Sequence, residues 1–92
     1  MNYEEISDHE INCLVDKELF LSGGGQPAMF KLDNPGDWGK LMQDNKISLT
    51  WDSLENEWYT STGTRGQNSC HPKKPGRAVS ISYLKKQEAN NG

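Results

Sequence analysis

Between residues 47 and 62 the chain has little choice but to turn back on itself. Ile47-Ser48-Leu49-Thr50-Trp51 alternates apolar with polar residues and is rich in strand formers. Asp52-Ser53-Leu54-Glu55-Asn56-Glu57 is turn-rich, and Trp58-Tyr59-Thr60-Ser61-Thr62 returns. The spacing predicts an antiparallel hairpin with a six-residue loop. Ile47, Leu49 and Trp51 share one side, with Trp58 and Thr60 across from them. Such a pair needs further elements packed on its apolar side to be stable.

Two helices precede it. Ser7 and Glu10 form a capping box, Ile6 and Ile11 occupy the staple positions, and Asp8 and Glu10 suit the positive end of the helix dipole. Ile11, Leu14, Val15 and Leu19 recur at helical spacing, so a helix is expected over about 8–20. Ser22-Gly23-Gly24-Gly25 ends it, and the alternation of Ala28, Phe30 and Leu32 predicts a short strand near 28–32. Asn34 then caps a second helix over about 35–44, with Pro35 at its first position and Trp38, Leu41 and Met42 on its inner face. Residues 63–76 lack periodicity and are expected to form a flexible loop. The final segment is ambiguous. Val79, Ile81 and Tyr83 alternate like a strand, whereas Ala78, Ile81, Leu84 and Lys85 share a helical face.

Hydrophobic residues make up 33% of the 92 positions, enough for one domain spanning 1–92 but not for two cores. With so few aliphatics, Trp38, Trp51 and Trp58 are expected at the centre of the core together with Phe30. No apolar run approaches the roughly 18 residues of a membrane span. Residues 1–8 are acidic where a secretory or transit signal is basic and apolar, so the cytoplasm is the expected compartment.

Charge is divided unevenly. Residues 1–62 carry twelve carboxylates and four lysines, a sum of −8; residues 63–92 carry six Lys or Arg and Glu88, a sum of +5, giving the total of −3. Two surfaces follow as candidates. An acidic first helix (Glu4, Glu5, Asp8, Glu10, Asp16) could meet a protein partner, and a basic loop (Arg65, His71, Lys73, Lys74, Arg77) could meet phosphates without sequence preference. The blander alternative is that the basic tail neutralises its own acidic body.

Catalytic and metal patterns are weak. His9 and Cys13 lie one helical turn apart and Cys70-His71 is an adjacent pair, but no Cys-x-x-Cys occurs and neighbouring residues seldom reach one tetrahedral ion. Cys70-His71 lacks an orienting third group for nucleophilic catalysis, and Ser22-Gly23-Gly24-Gly25 lacks the lysine of a phosphate-binding loop. No cofactor, no metal and no catalytic residue are expected. A Cys13–Cys70 disulfide is disfavoured in a reducing compartment.

The order of segments resembles a known family. Ser7-Asp8-His9-Glu10-Ile11-Asn12, then Asn34-Pro35-Gly36-Asp37-Trp38 leading into Asn45-Lys46-Ile47-Ser48, then Trp58 and Pro75-Gly76-Arg77-Ala78 resemble the NinX family of small proteins from lambdoid bacteriophages and prophages. The resemblance implies an accessory protein without an established activity and tips the last segment toward helix. The expected fold is α+β: a small antiparallel sheet of about three strands, near 28–32, 47–51 and 58–62, with two or three helices on one face. The expected function is non-catalytic binding to a host or phage protein, with inhibition of a host defence or nuclease complex as its sharper form. The alternative is a nucleic-acid-associated recombination accessory protein acting through the basic loop.

Overall fold

The computed structural model describes residues 2–21 and 30–91. A 3-10 turn, Tyr3–Glu5, leads into helix α1, Asp8–Leu21, and helix α2 is Pro35–Asn45. Strands β1, Ser48–Asp52, β2, Glu57–Ser61, and β3, Cys70–His71, follow, and helix α3 is Pro75–Asn91. The strands form one antiparallel sheet in the order β1-β2-β3. The fold is thus α+β, with three helices and a three-stranded sheet.

Local chemistry sets the element ends. The Ser7 hydroxyl accepts from the Glu10 amide at 3.1 Å, capping α1. Asn34 accepts from Gly36 N–H at 2.9 Å, and Pro35 follows it at the start of α2. Lys46 takes a left-handed conformation (φ 54°) that stops α2 and returns its N–H to the Met42 carbonyl. In the hairpin turn Asp52 Oδ1 accepts from the Leu54 and Glu55 amides, so the connection tightens to residues 53–56. The register pairs Leu49 with Thr60 and Trp51 with Trp58, as the alternation requires.

Three expectations are corrected. The third strand is not the 28–32 segment but Cys70–His71, inside the stretch read as a loop, and that stretch ends within the first turn of α3. Residues 28–29 and the glycines at 23–25 lie outside the described residues. Phe30 and Leu32 are buried, yet their amides do not join a ladder: Phe30 N–H donates to Asp16 Oδ1 at 2.7 Å and Leu32 N–H to Asn12 Oδ1 at 2.9 Å. Polar side chains of α1 satisfy this backbone where a neighbouring strand would otherwise do so.

The tryptophans are not the centre of the core. That place belongs to α3, whose residues from Ala78 to Leu84 are all at most 3% exposed. This helix packs on α1, α2, β2 and β3 at once, so it has no outward face to mark with polar residues. The core comprises Tyr3, Ile11, Val15, Phe30, Leu32, Leu41 and Ile47 around Val79, Ile81, Tyr83 and Leu84, with Trp38 only partly buried at its margin. Ser80 and Ser82 are tolerated inside because each hydroxyl finds a carbonyl: Ser80 donates to Gly76 O at 2.7 Å and Ser82 to Gln67 O at 2.5 Å.

Gly76, in the first turn of α3, sits directly against the segment before α2 and against Trp38. A Cβ there would lie 1.9 Å from the Leu32 carbonyl oxygen and 2.4 Å from Trp38 Cδ1. Gly76→Ala is therefore expected to cost about 3 kcal/mol or more by overpacking against backbone. In contrast Gly39→Ala, where nothing lies within 4 Å, should stabilise α2 by about 1 kcal/mol. Urea unfolding of the two variants beside the parent chain checks both signs.

Candidate functional site

The acidic first helix and the basic segment meet each other. Arg77, in the first turn of α3, is only 8% exposed. Its Nη1 donates to Asp8 Oδ1 at 2.5 Å; its Nη2 reaches the carbonyls of Ile6 at 2.7 Å and of Tyr3 and Glu4 at 3.3 Å. The guanidinium fork thus gathers backbone oxygens of the 3-10 turn and its exit that would otherwise go unpaired. Lys74 Nζ donates to the other Asp8 oxygen, and Lys85 Nζ bridges Glu4 Oε1 at 3.0 Å and Asn68 O at 2.9 Å. The tail neutralises its own body at these points.

The titration of these groups follows from that geometry. Partial burial pushes the Asp8 carboxyl up, but hydrogen bonds and charge from Lys74 and Arg77 outweigh it and hold the carboxyl below its ordinary range. Glu4 is lowered in the same way, burial being overcome by Lys85. The Tyr3 phenol is pushed up to about 12 by burial and by its 2.5 Å hydrogen bond to Glu88.

Of the acidic candidates, Glu5 and Glu10 stay exposed, whereas Glu4 and Asp8 are paired with cations and Asp16 holds the Phe30 amide. Of the basic candidates, Arg65 and Lys73 are exposed without an ion pair among the described residues. Lys74 and Arg77 are bound to Asp8, and His71 lies in β3. The basic residues therefore do not share one loop.

His71 has a structural task. Its Nδ1 accepts from the Lys73 and Lys74 amides at 3.1 and 2.9 Å, shaping the entry to α3. Burial, then the charges of Arg77 and Lys74, lower its pKa against the opposing pull of Asp8 and Glu57. Cys70 alternates with His71 along β3, so the two side chains point to opposite faces. Burial and the hydrogen bond with Glu57 push the Cys70 thiol up, away from thiolate character. His9 Nε2 and Cys13 Sγ are 3.7 Å apart, both cysteines are free, and no group of three or more metal-ligating side chains occurs among the described residues.

The surface that the sequence did not reveal is the hairpin. Trp51 is 44% exposed, Tyr59 41% and Leu54, at the turn, 91%. Trp51 and Trp58 stack edge to face with centroids 5.2 Å apart. The pair extends the helix-covered side of the sheet, while Tyr59 stands on the opposite face and accepts from Asn68 Nδ2 at 2.6 Å. Residues 47–62 carry Asp52, Glu55 and Glu57 and no Lys, Arg or His. That unbalanced charge was the available signal; the default placement of tryptophan in the core hid it.

Comparison with protein-family models, with curated proteins and with solved structures finds no match to this chain. No helix of the described residues is long and apolar enough to cross a membrane.

Two pH-dependent outcomes are expected. The folded Asp8 carboxyl binds its proton more weakly than the unfolded one, so its contribution is intact above about pH 4 and is lost as the pH falls through the range below. Asp8→Asn removes that dependence and costs about 1–3 kcal/mol at neutral pH, because Arg77 loses a charged acceptor in a nearly buried site. For His71 the unfolded chain binds the extra proton first, so stability should fall as the pH drops from about 6.5 toward the lower folded pKa. His71→Asn, which keeps an acceptor without titrating, should flatten that part of the curve. Chemical denaturation at a series of pH values measures both.

Proposed function

We propose that this chain is a non-catalytic protein-binding module, a bacteriophage or prophage accessory protein that docks on a host or phage protein through its β1–β2 hairpin. The observation that carries the reading is the exposure of Trp51 on one face, Tyr59 on the other and Leu54 at the turn of one hairpin whose charged residues are all acidic. Tryptophan and tyrosine are enriched among the few residues that dominate the binding energy of protein interfaces. The phage setting is supported by the resemblance of the chain to the NinX family. An acidic aromatic surface complements the cationic surfaces that nuclease or host-defence complexes offer to DNA, and inhibition of such a complex is the sharper form of the proposal. The acidic reading is retained, but it moves from the first helix, where Asp8 and Glu4 are paired internally, to the hairpin.

The test is quantitative co-purification from phage-infected bacteria with the full chain. Trp51→Ala with Tyr59→Ala is expected to reduce recovery of the partner by about tenfold or more, an interface loss of at least about 1.4 kcal/mol. Arg65→Glu with Lys73→Glu is expected to leave it unchanged. Loss of the partner in the second variant but not the first, or recovery of nucleic acid alone, would overturn the proposal in favour of the basic segment.

A further inference from the structure

Resting on that reading, we infer that the partner presents an extended basic segment that adds as a fourth strand to the open edge of β1. The order β1-β2-β3 leaves β1 at an edge, with β2 as its sole extensive packing partner among the described elements. Hydrogen-bond direction says which groups wait there. The Thr60 N–H donates to the Ser69 carbonyl at 2.8 Å, toward β3 and away from β1. Leu49 and Thr60 are therefore a non-hydrogen-bonded pair, and by alternation so are Trp51 and Trp58. The close approach of the two indoles agrees with this, since side chains come nearer in such pairs. The N–H and C=O of Leu49 and of Trp51 consequently face the open edge, about 6.8 Å apart along the strand. No described residue bonds to them.

Natural edge strands are usually blunted by proline, a bulge or an inward lysine. Ser48-Leu49-Thr50-Trp51-Asp52 carries none of these. The occupant is specified by what flanks the free groups. Leu49 is half-buried against the core, Trp51 offers an exposed indole, and Asp52 stands at the strand end near Glu55 and Glu57. An incoming strand matches this edge with an apolar residue opposite Leu49, an arginine on the same face over Trp51, and a second cation on the next position toward Asp52. Main-chain bonds then supply affinity, and the cations exclude neutral or acidic segments.

The experiment uses the full chain and a capped synthetic peptide, Thr-Lys-Arg-Thr-Val-Thr-Thr, which lies antiparallel to β1 with Val opposite Leu49, Arg opposite Trp51 and Lys opposite Asp52, followed by tryptophan fluorescence and amide NMR. Saturable binding is expected, with slowed hydrogen exchange at the Leu49 and Trp51 amides. Methylating the peptide's Val and Arg nitrogens, which face the edge, should weaken binding by about tenfold or more, while methylating the intervening Thr and the Lys nitrogens should not. Asp52→Asn, which keeps the oxygen that holds the turn, combined with Glu55→Gln should also weaken it. Equal binding of the two methylated peptides overturns strand addition yet leaves the hairpin-dependent co-purification standing, so the two readings fail separately. Absence of saturable binding also overturns it. So does a concentration-dependent dimer that protects Leu49 and Trp51 without peptide, which would make a second copy the occupant.

Discussion

The whole fold depends on wrapping one helix completely. Every side chain from Ala78 to Leu84 is inaccessible or nearly so, and both layers of the structure exist to cover them. A chain with 33% hydrophobic residues cannot build several amphipathic layers each with its own greasy stripe. Concentrating burial on α3 lets α1, α2 and the sheet contribute only a few apolar groups apiece. The arrangement demands small residues where elements approach: Gly76 beneath Leu32 and Trp38, and Ser80 and Ser82 whose hydroxyls are returned to carbonyls.

Charge follows the same economy. Arg77 stands at the start of that buried helix, and its guanidinium is the point where the 3-10 turn, α1 and α3 converge. Its value is geometric as much as electrostatic, because a planar fork satisfies several carbonyls and a carboxylate together. Lys74 and Lys85 extend the join on either side. The opposite charges of the two chain halves are thus partly consumed in holding the N-terminal segment to the C-terminal helix. That consumption removes Asp8, Glu4, Lys74 and Arg77 from the set of residues that can greet a partner freely.

The hairpin exposes Trp51, Leu54 and Tyr59 to solvent, as the end of α1 exposes Phe20 and Leu21. The indoles of Trp51 and Trp58 support each other edge to face, and Tyr59 lies on the reverse side. Of the residues first singled out by charge, Asp8, Glu4, Lys74 and Arg77 are engaged within the chain, while Glu5, Glu10, Arg65 and Lys73 stay exposed.

Short-range chemistry was legible from the sequence. The Ser7 cap, the Asn34-Pro35 start, the hairpin register and the paired positions of Trp51 and Trp58 all followed from neighbouring residues, because caps, turns and alternation depend on groups a few positions apart. What tertiary structure decided was everything that required two distant segments to meet. Phe30 and Leu32 alternate like a strand, yet Asp16 and Asn12 of α1 claim their amides. Cys70–His71 becomes a strand only because β2 is beside it. Periodicity could not settle α3, since a helix surrounded on all sides has no polar face to create a period. Whether a charge is a lure for a partner or a tie within the chain is fixed by what folding places across from it, and the order of residues carries no record of that distance.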